Sequence, residues 1–262
     1  MTPEDGLKLK EIKVNWRNFE KACSLANKTN VLSVMITGKG EPTLYPKQIT
    51  EYLKRMKKYN FPIIELQTNG VLFDKAFDKY KEYLKEWHKL GLDIILLSVI
   101  HYDKNKNKSL MGHGVDLELL VKRLHDIGYS VRVNCLLIKN YIDSVERILE
   151  MVDFIKKNKI EQLTIRNLEK PTNPRNNKIS GWIEKNRLED KELRKIIKYF
   201  EENGEALIRF SYGAIVYDLK GQNICLSDCL TMRSDGEELR QLIFFPDGHI
   251  RYDWQHEGAI LI

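Results

Sequence analysis

Two textures of apolar residues alternate along this chain. Short apolar runs are followed by longer stretches in which apolar residues recur every three or four positions. A short bounded run reads as a strand, and the 3.6-residue recurrence reads as an amphipathic helix. The run 31–37 (VLSVMIT) is the first predicted strand. A helix over 46–59 follows, with Ile49, Leu53 and Met56 on one face and Pro46 in its first turn. The second strand is 63–67. The next helix, 74–90, carries Phe77, Tyr80, Leu84 and Trp87 on one face, and Gly91 stands where a C-cap belongs. Segment 93–99 (DIILLSV) is apolar almost throughout, the mark of a strand covered on both faces in a parallel sheet. Helix 116–127 ends at Gly128, strand 130–138 leads to helix 143–158, and strand 162–166 precedes helix 189–203, which Gly204 stops.

Five strand-then-helix units in series imply parallel, right-handed crossovers. Periodicity leaves open a doubly wound sheet or a full or partial barrel. After Gly204 the texture changes. Segments 206–212, 214–219, 241–245 and 249–254 read as short strands, and Pro246-Asp247-Gly248 reads as a hairpin turn. The expected organisation is an α/β body at 1–204 and a small antiparallel β extension at 205–262. Segment 170–186, rich in proline and asparagine, reads as a long loop.

Composition narrows the function classes. The net charge of +6 comes mostly from lysines spread over helical stretches, which reads as solvated helix faces. A nucleic-acid footprint is a denser basic stripe, so no nucleic-acid partner is expected. No apolar run approaches the roughly 18 residues that a membrane helix needs. The first 13 residues lack the apolar centre of a secretory signal, so the cytoplasm is the expected compartment and no membrane partner is expected. The four cysteines, Cys23, Cys135, Cys225 and Cys229, are too scattered for a disulfide framework.

In parallel α/β folds the site forms at the carboxyl ends of the strands. Here those ends are polar in every case. They carry Gly38-Lys39-Gly40-Glu41-Pro42-Thr43, then Thr68-Asn69-Gly70, then Ser98 with His101, Tyr102 and Asp103. Arg132 and Asn134 follow, then Arg166-Asn167. Glycines let a backbone approach a ligand closely, and Glu41 adds a carboxylate suited to an ammonium group. The other reading of this loop is a tight turn in which Glu41 caps the next helix. It is not a phosphate loop, whose Gly-four-Gly-Lys-Ser/Thr spacing is absent. His101 and Tyr102 are placed beside the site because they follow Ser98. His113 reads as exposed, and Trp182, Tyr252 and Trp254 read as packing residues.

Thr37 to Leu44, followed one strand later by Gln67-Thr68-Asn69-Gly70, resembles the radical S-adenosylmethionine (radical SAM) superfamily. That family carries Gly-Gly-Glu-Pro after its second barrel strand and often Thr-Asn-Gly after the third. Lys39 replaces the first glycine, while Gly40, Glu41 and Pro42 remain. The resemblance spans roughly 31–170. It implies a partial (β/α) barrel and reductive cleavage of S-adenosylmethionine at a 4Fe-4S cluster. The resulting 5′-deoxyadenosyl radical abstracts hydrogen from a substrate, and the electron comes from an external reductant. It further implies that Gly38 and Lys39 to Pro42 hold the methionine amino group, with Glu41 as charged partner and Thr68 and Asn69 beside it. Ser98, Asn134 and Arg132 would meet the ribose or carboxylate. The strand end around Arg166 and Asn167 would lie against adenine.

The family's cluster needs Cys-three-Cys-two-Cys after the first strand, and the sequence contains no such triplet. The first readable strand already resembles the family's second. The chain is therefore expected to lack the first strand and to hold no cluster by itself, either as a shortened piece or as a natural loss. Cys225 and Cys229 are the remaining metal candidates, to be set against an accidental pair. A different class remains open: a barrel that binds a nucleoside or amino acid without catalysis. Neither substrate nor catalytic residue is readable.

Overall fold

The computed structural model describes residues 13–38, 40–169, 177–210, 213–227, 241–253 and 258–262. After helix α1 (Trp16–Lys28), strands and helices alternate: β1 (Ser33–Ile36), α2 (Pro46–Met56), β2 (Ile63–Thr68), α3 (Val71–Lys75) and α4 (Phe77–Lys89). Then come β3 (Ile94–Val99), α5 (Lys104–Met111), α6 (Leu117–Ile127), β4 (Ser130–Leu137), α7 (Val145–Lys157) and β5 (Gln162–Asn167). The rest is α8 (Asn177–Asn186), α9 (Asp190–Asn203), β6 (Glu205–Arg209), β7 (Ile215–Leu219), β8 (Gln222–Leu226), and the short pair β9 (Ile243–Phe244) and β10 (Ile250–Arg251).

Local chemistry sets the boundaries. Asp116 and Ser144 cap α6 and α7 by accepting the backbone N–H groups of Leu119 and Arg147. Gly128, at φ 112°, ends α6 in the left-handed region. The predicted helix at 74–90 divides at Ala76, whose φ and ψ of −132° and 38° leave the helical region.

Strands β1 to β5 lie side by side in chain order and pair in parallel. One parity of strand residues is buried against the helices. Leu66, Leu97, Val133 and Leu163 are fully buried in one cluster with Leu53, Leu84, Trp87 and Leu120. The other parity, including Glu65, Gln67, Arg132, Asn134, Thr164 and Arg166, faces a cavity. The sheet is therefore apolar toward its helices and polar inside. The wall is open: β1 and β6 end the strand order, and no described strand closes it.

The structure departs from the sequence expectations in three places. The antiparallel extension exists, but it continues the main sheet: β8 pairs parallel to β5, and β7 and β6 follow antiparallel. Strand β8 escapes the apolar-run reading because its turn is Lys220-Gly221, both at positive φ, in place of an Asn-Gly signal. Part of the predicted 170–186 loop is helix α8, and helix α5 stands inside the connection after β3. Trp182 and Tyr252, expected to pack, are 40% and 45% exposed, while Trp254 lies outside the described residues. No described helix is long and apolar enough to cross a membrane.

Candidate functional site

The loop after β1 and the loop after β2 are joined through Glu41. Pro42–Leu44 form a 3-10 turn, with Glu41 as its N-cap. Oε1 of Glu41 accepts from the Thr43 N–H at 3.0 Å, the Thr43 hydroxyl at 2.6 Å and the Thr68 hydroxyl at 2.7 Å. Oε2 accepts the Asn69 N–H at 2.9 Å. The capping and cross-loop roles are thus combined in one carboxylate, and Oε2 keeps a lone pair for a further donor. Thr68 Oγ1 also accepts the Gly70 N–H, and Asn69 Oδ1 accepts the Val71 N–H. Gly70 has φ 73°, and a Cβ there would lie 3.0 Å from Leu120 Cδ2. The Tyr80 hydroxyl of α4 donates to the Thr43 carbonyl at 2.8 Å and fixes the loop from beneath.

Gly38 is freer. A Cβ there would meet only Gly40 backbone atoms at 3.8 Å, so the protein itself does not demand glycine, and Gly40 is exposed. Lys39 lies outside the described residues.

A polar relay crosses the strand ends. Thr37 Oγ1 donates to Gln67 Oε1 at 3.1 Å, and Gln67 Nε2 donates to Ser98 Oγ at 3.0 Å. Ser98 stands opposite Asn134 in the β3–β4 register. Asn134 Oδ1 is buried with no hydrogen-bond partner among the described residues. Arg132 lies one inward position below it and approaches Glu65 Oε2 at 3.4 Å. Glu65 is 7% exposed, and burial raises its carboxyl above the ordinary range against the pull of Arg132. With Arg166 they line a cavity of about 120 Å³. Asn167 and Thr68 belong to the opposite, buried parity, so the structure does not bring Asn167 to the same wall as Arg166.

The connection after β3 distributes its residues differently from the expectation. His101 is buried, accepts the Asp103 N–H on Nδ1, and meets the Tyr102 ring at a tilt, centroids 4.3 Å apart. Tyr102 in turn stacks on Phe154 of α7 and donates to Glu150. Both rings therefore serve the helical layer. Asp103 caps α5. Burial, and then Lys106, lower the His101 pKa to about 4, so its ring is neutral at neutral pH. His113, expected exposed, is half-buried and shares a small cleft with Asn69 and Ser98. The period-two polar positions Glu65, Gln67, Gln162 and Thr164 also belong to the site. Their alternation within β2 and β5 was the signal that could have found them.

The donor set of these strand ends is compatible with the polar groups of S-adenosylmethionine: a buried amide oxygen, hydroxyl and amide groups beside it, and a carboxylate loop that flanks them. The residues do not fit an iron–sulfur cluster. Among the described residues no three His, Cys, Asp or Glu side chains gather. Cys23 and Cys135 are buried in the helix-packed core, where burial pushes both thiols up to about 12, whereas iron takes thiolates. Cys225 lies in β8, and Cys229 is outside the described residues.

Comparison with known proteins agrees with this architecture. A family model described as Radical SAM superfamily matches residues 11–155. Among solved structures, native anSMEcpe with bound AdoMet superposes at TM-score 0.58 and 16% identity, covering 95% of this chain and 68% of that one. Methylornithine synthase (PylB) superposes at TM-score 0.51 and 17% identity, covering 84% of this chain and 63% of that one. This chain thus spans about two thirds of the length of either. No curated protein sequence matches it. These structural likenesses concern the fold, and the family model covers more than half of the sequence; this chain belongs to the radical SAM superfamily.

Proposed function

We propose that this chain binds S-adenosylmethionine across the carboxyl ends of β1 to β5 and forms the cofactor- and substrate-holding body of an enzyme that abstracts hydrogen from an organic substrate. The observation that carries this reading is the buried, unpartnered Oδ1 of Asn134. Such an oxygen costs about 1–3 kcal/mol in an empty site, and a ribose hydroxyl would satisfy it. Ser98, oriented by Gln67, adds a second polar contact beside it. The ammonium end would meet the exposed Gly40 backbone and the remaining lone pair of Glu41 Oε2. The backbone at 165–168 would lie against adenine. In this family the electron that cleaves the cofactor passes through a 4Fe-4S cluster, for which the described residues gather no ligand set, so hydrogen abstraction would require cluster ligands from outside them.

A second reading is binding without cleavage, favoured by the cysteine placement: the described thiols of Cys23 and Cys135 are core residues. One experiment orders the two. Equilibrium dialysis against S-adenosylmethionine tests binding. Anaerobic iron–sulfur reconstitution and reduction, with 5′-deoxyadenosine as readout, then tests cleavage. Binding with cleavage supports the enzyme and assigns the cluster ligands to residues outside the described ones, whereas binding without cleavage is the outcome both readings expect of a chain that holds no cluster. Loss of binding would remove both.

A further inference from the structure

The inner wall below the mouth carries two arginines, Arg132 and Arg166. Arg132 spends one long contact on Glu65, through Nη1 at 3.4 Å, and its other N–H groups have no acceptor among the described residues. Arg166 is exposed and also has no acceptor among the described residues. Both line the same cavity of about 120 Å³, with Thr164 between their levels, Leu96 on β3 beside Arg132, and Met35 on β1. Two guanidinium groups against one carboxylate leave this space cationic. A planar guanidinium with free donors is suited to an oxyanion. The volume is well below the roughly 300 Å³ at which small-molecule pockets begin, so beneath a ribose seated on Asn134 at its rim it leaves room for a head group only.

The carboxylate of S-adenosylmethionine is a poor match for the upper arginine. Its ammonium and carboxylate share one carbon, and the ammonium partner, Glu41, is tied to the end of β2. Arg166 stands on β5, three strands away, which is roughly 14 Å at the ordinary strand spacing.

We propose that this cavity recognises a carboxylate or phosphate group of the substrate, held between Arg132 at the floor and Arg166 at the mouth, with Leu96 and Met35 against the adjoining carbon. The substrate class is thus a small organic anion. The assignment rests on the cofactor reading only in calling this anion a substrate, because it places the hydrogen donor beneath the cofactor; the anion site itself can be measured without the cofactor.

The test uses the full chain. Binding of inorganic phosphate is followed by 31P NMR, and binding of acetate by 13C NMR. S-adenosylmethionine affinity is measured in parallel. Saturable binding of at least one anion is expected. Arg166→Gln, at an exposed side chain, should weaken anion binding roughly tenfold, and Arg166→Lys, which keeps the charge, should restore part of it. Glu65→Gln should strengthen anion binding, because it removes the carboxylate that competes for Arg132. Absence of saturable binding of both anions would overturn the proposal, as would an Arg166→Gln variant that binds them normally. So would one-for-one competition between phosphate and S-adenosylmethionine with both affinities falling in Arg166→Gln, which would assign the arginines to the cofactor. Anion binding without cofactor binding would keep the site and remove the cofactor reading instead.

Discussion

Glu41 accepts the backbone N–H of Asn69 at 2.9 Å, so one carboxylate from the loop after β1 holds the loop after β2 in place. Its other oxygen is shared by Thr43 and Thr68. Glu41→Ala strips acceptors from a half-buried set of donors and should cost about 3 kcal/mol. Glu41→Gln retains one acceptor and should cost about 1–2 kcal/mol. Urea unfolding of the two variants checks the order. An alanine variant as stable as wild type would show that the tie carries no energy.

Gly70 connects that tie to the helical layer. Alanine there must adopt φ 73° and press its Cβ toward Leu120 and Leu97. The left-handed backbone costs about 1–2 kcal/mol and the crowding adds to it. Gly70→Ala should lower stability by about 2–3 kcal/mol, read as a fall in thermal midpoint. Gly91→Ala is the control: it shares a positive φ of 96° but meets nothing within 4 Å, so the difference between the variants reports crowding alone.

Much of this arrangement is legible in the sequence, for identifiable reasons. Strands β1 to β5 are short, apolar and punctuated by glycines or capping residues, so their placement follows from period and punctuation. The Glu41 and Asn69 loops stand out because their residue types and order are unusual. The polar inner wall was harder to see. Glu65 and Gln67 interrupt an apolar run, and the run hides a period of two whose meaning depends on which face the helices cover. His101 is drawn into the helical layer and His113 to the edge of the site because helix α5 folds the connection over. A capping Asp103 and a buried Asn107 that bonds the backbone of Ile100 and His101 determine that fold, and neither announces itself by hydrophobic pattern.

His101 makes stability depend on pH. Its folded pKa is lowered to about 4 by burial and by Lys106, against about 6.5 unfolded. The unfolded chain therefore binds the proton first as pH falls, and stability is lost between pH 6.5 and 4, by up to about 3 kcal/mol from this group. His113, lowered by burial and Lys75, acts in the same direction. Glu65, raised by burial, opposes them in part. Unfolding measured at pH 7 and pH 4.5 should show a smaller difference in His101→Asn than in wild type. Equal differences would mean that the ring titrates normally in the folded state.

Asn134 separates binding from folding more cleanly than any other residue of the wall. Its Oδ1 is buried and accepts no hydrogen bond among the described residues, so removing it breaks no described hydrogen bond. The desolvation penalty of that oxygen, about 1–3 kcal/mol, is already present in the ligand-free state. Asn134→Ala should therefore leave stability unchanged or raise it by up to about 1 kcal/mol, the lost packing offsetting part of the gain. The same variant should bind S-adenosylmethionine roughly tenfold more weakly, because a ligand hydroxyl loses its acceptor. Urea unfolding and equilibrium dialysis on one preparation read both effects. Opposite signs identify a side chain held in a costly state for a ligand. A variant that loses stability and keeps its affinity would make Asn134 a packing residue and leave the cofactor reading without its main support.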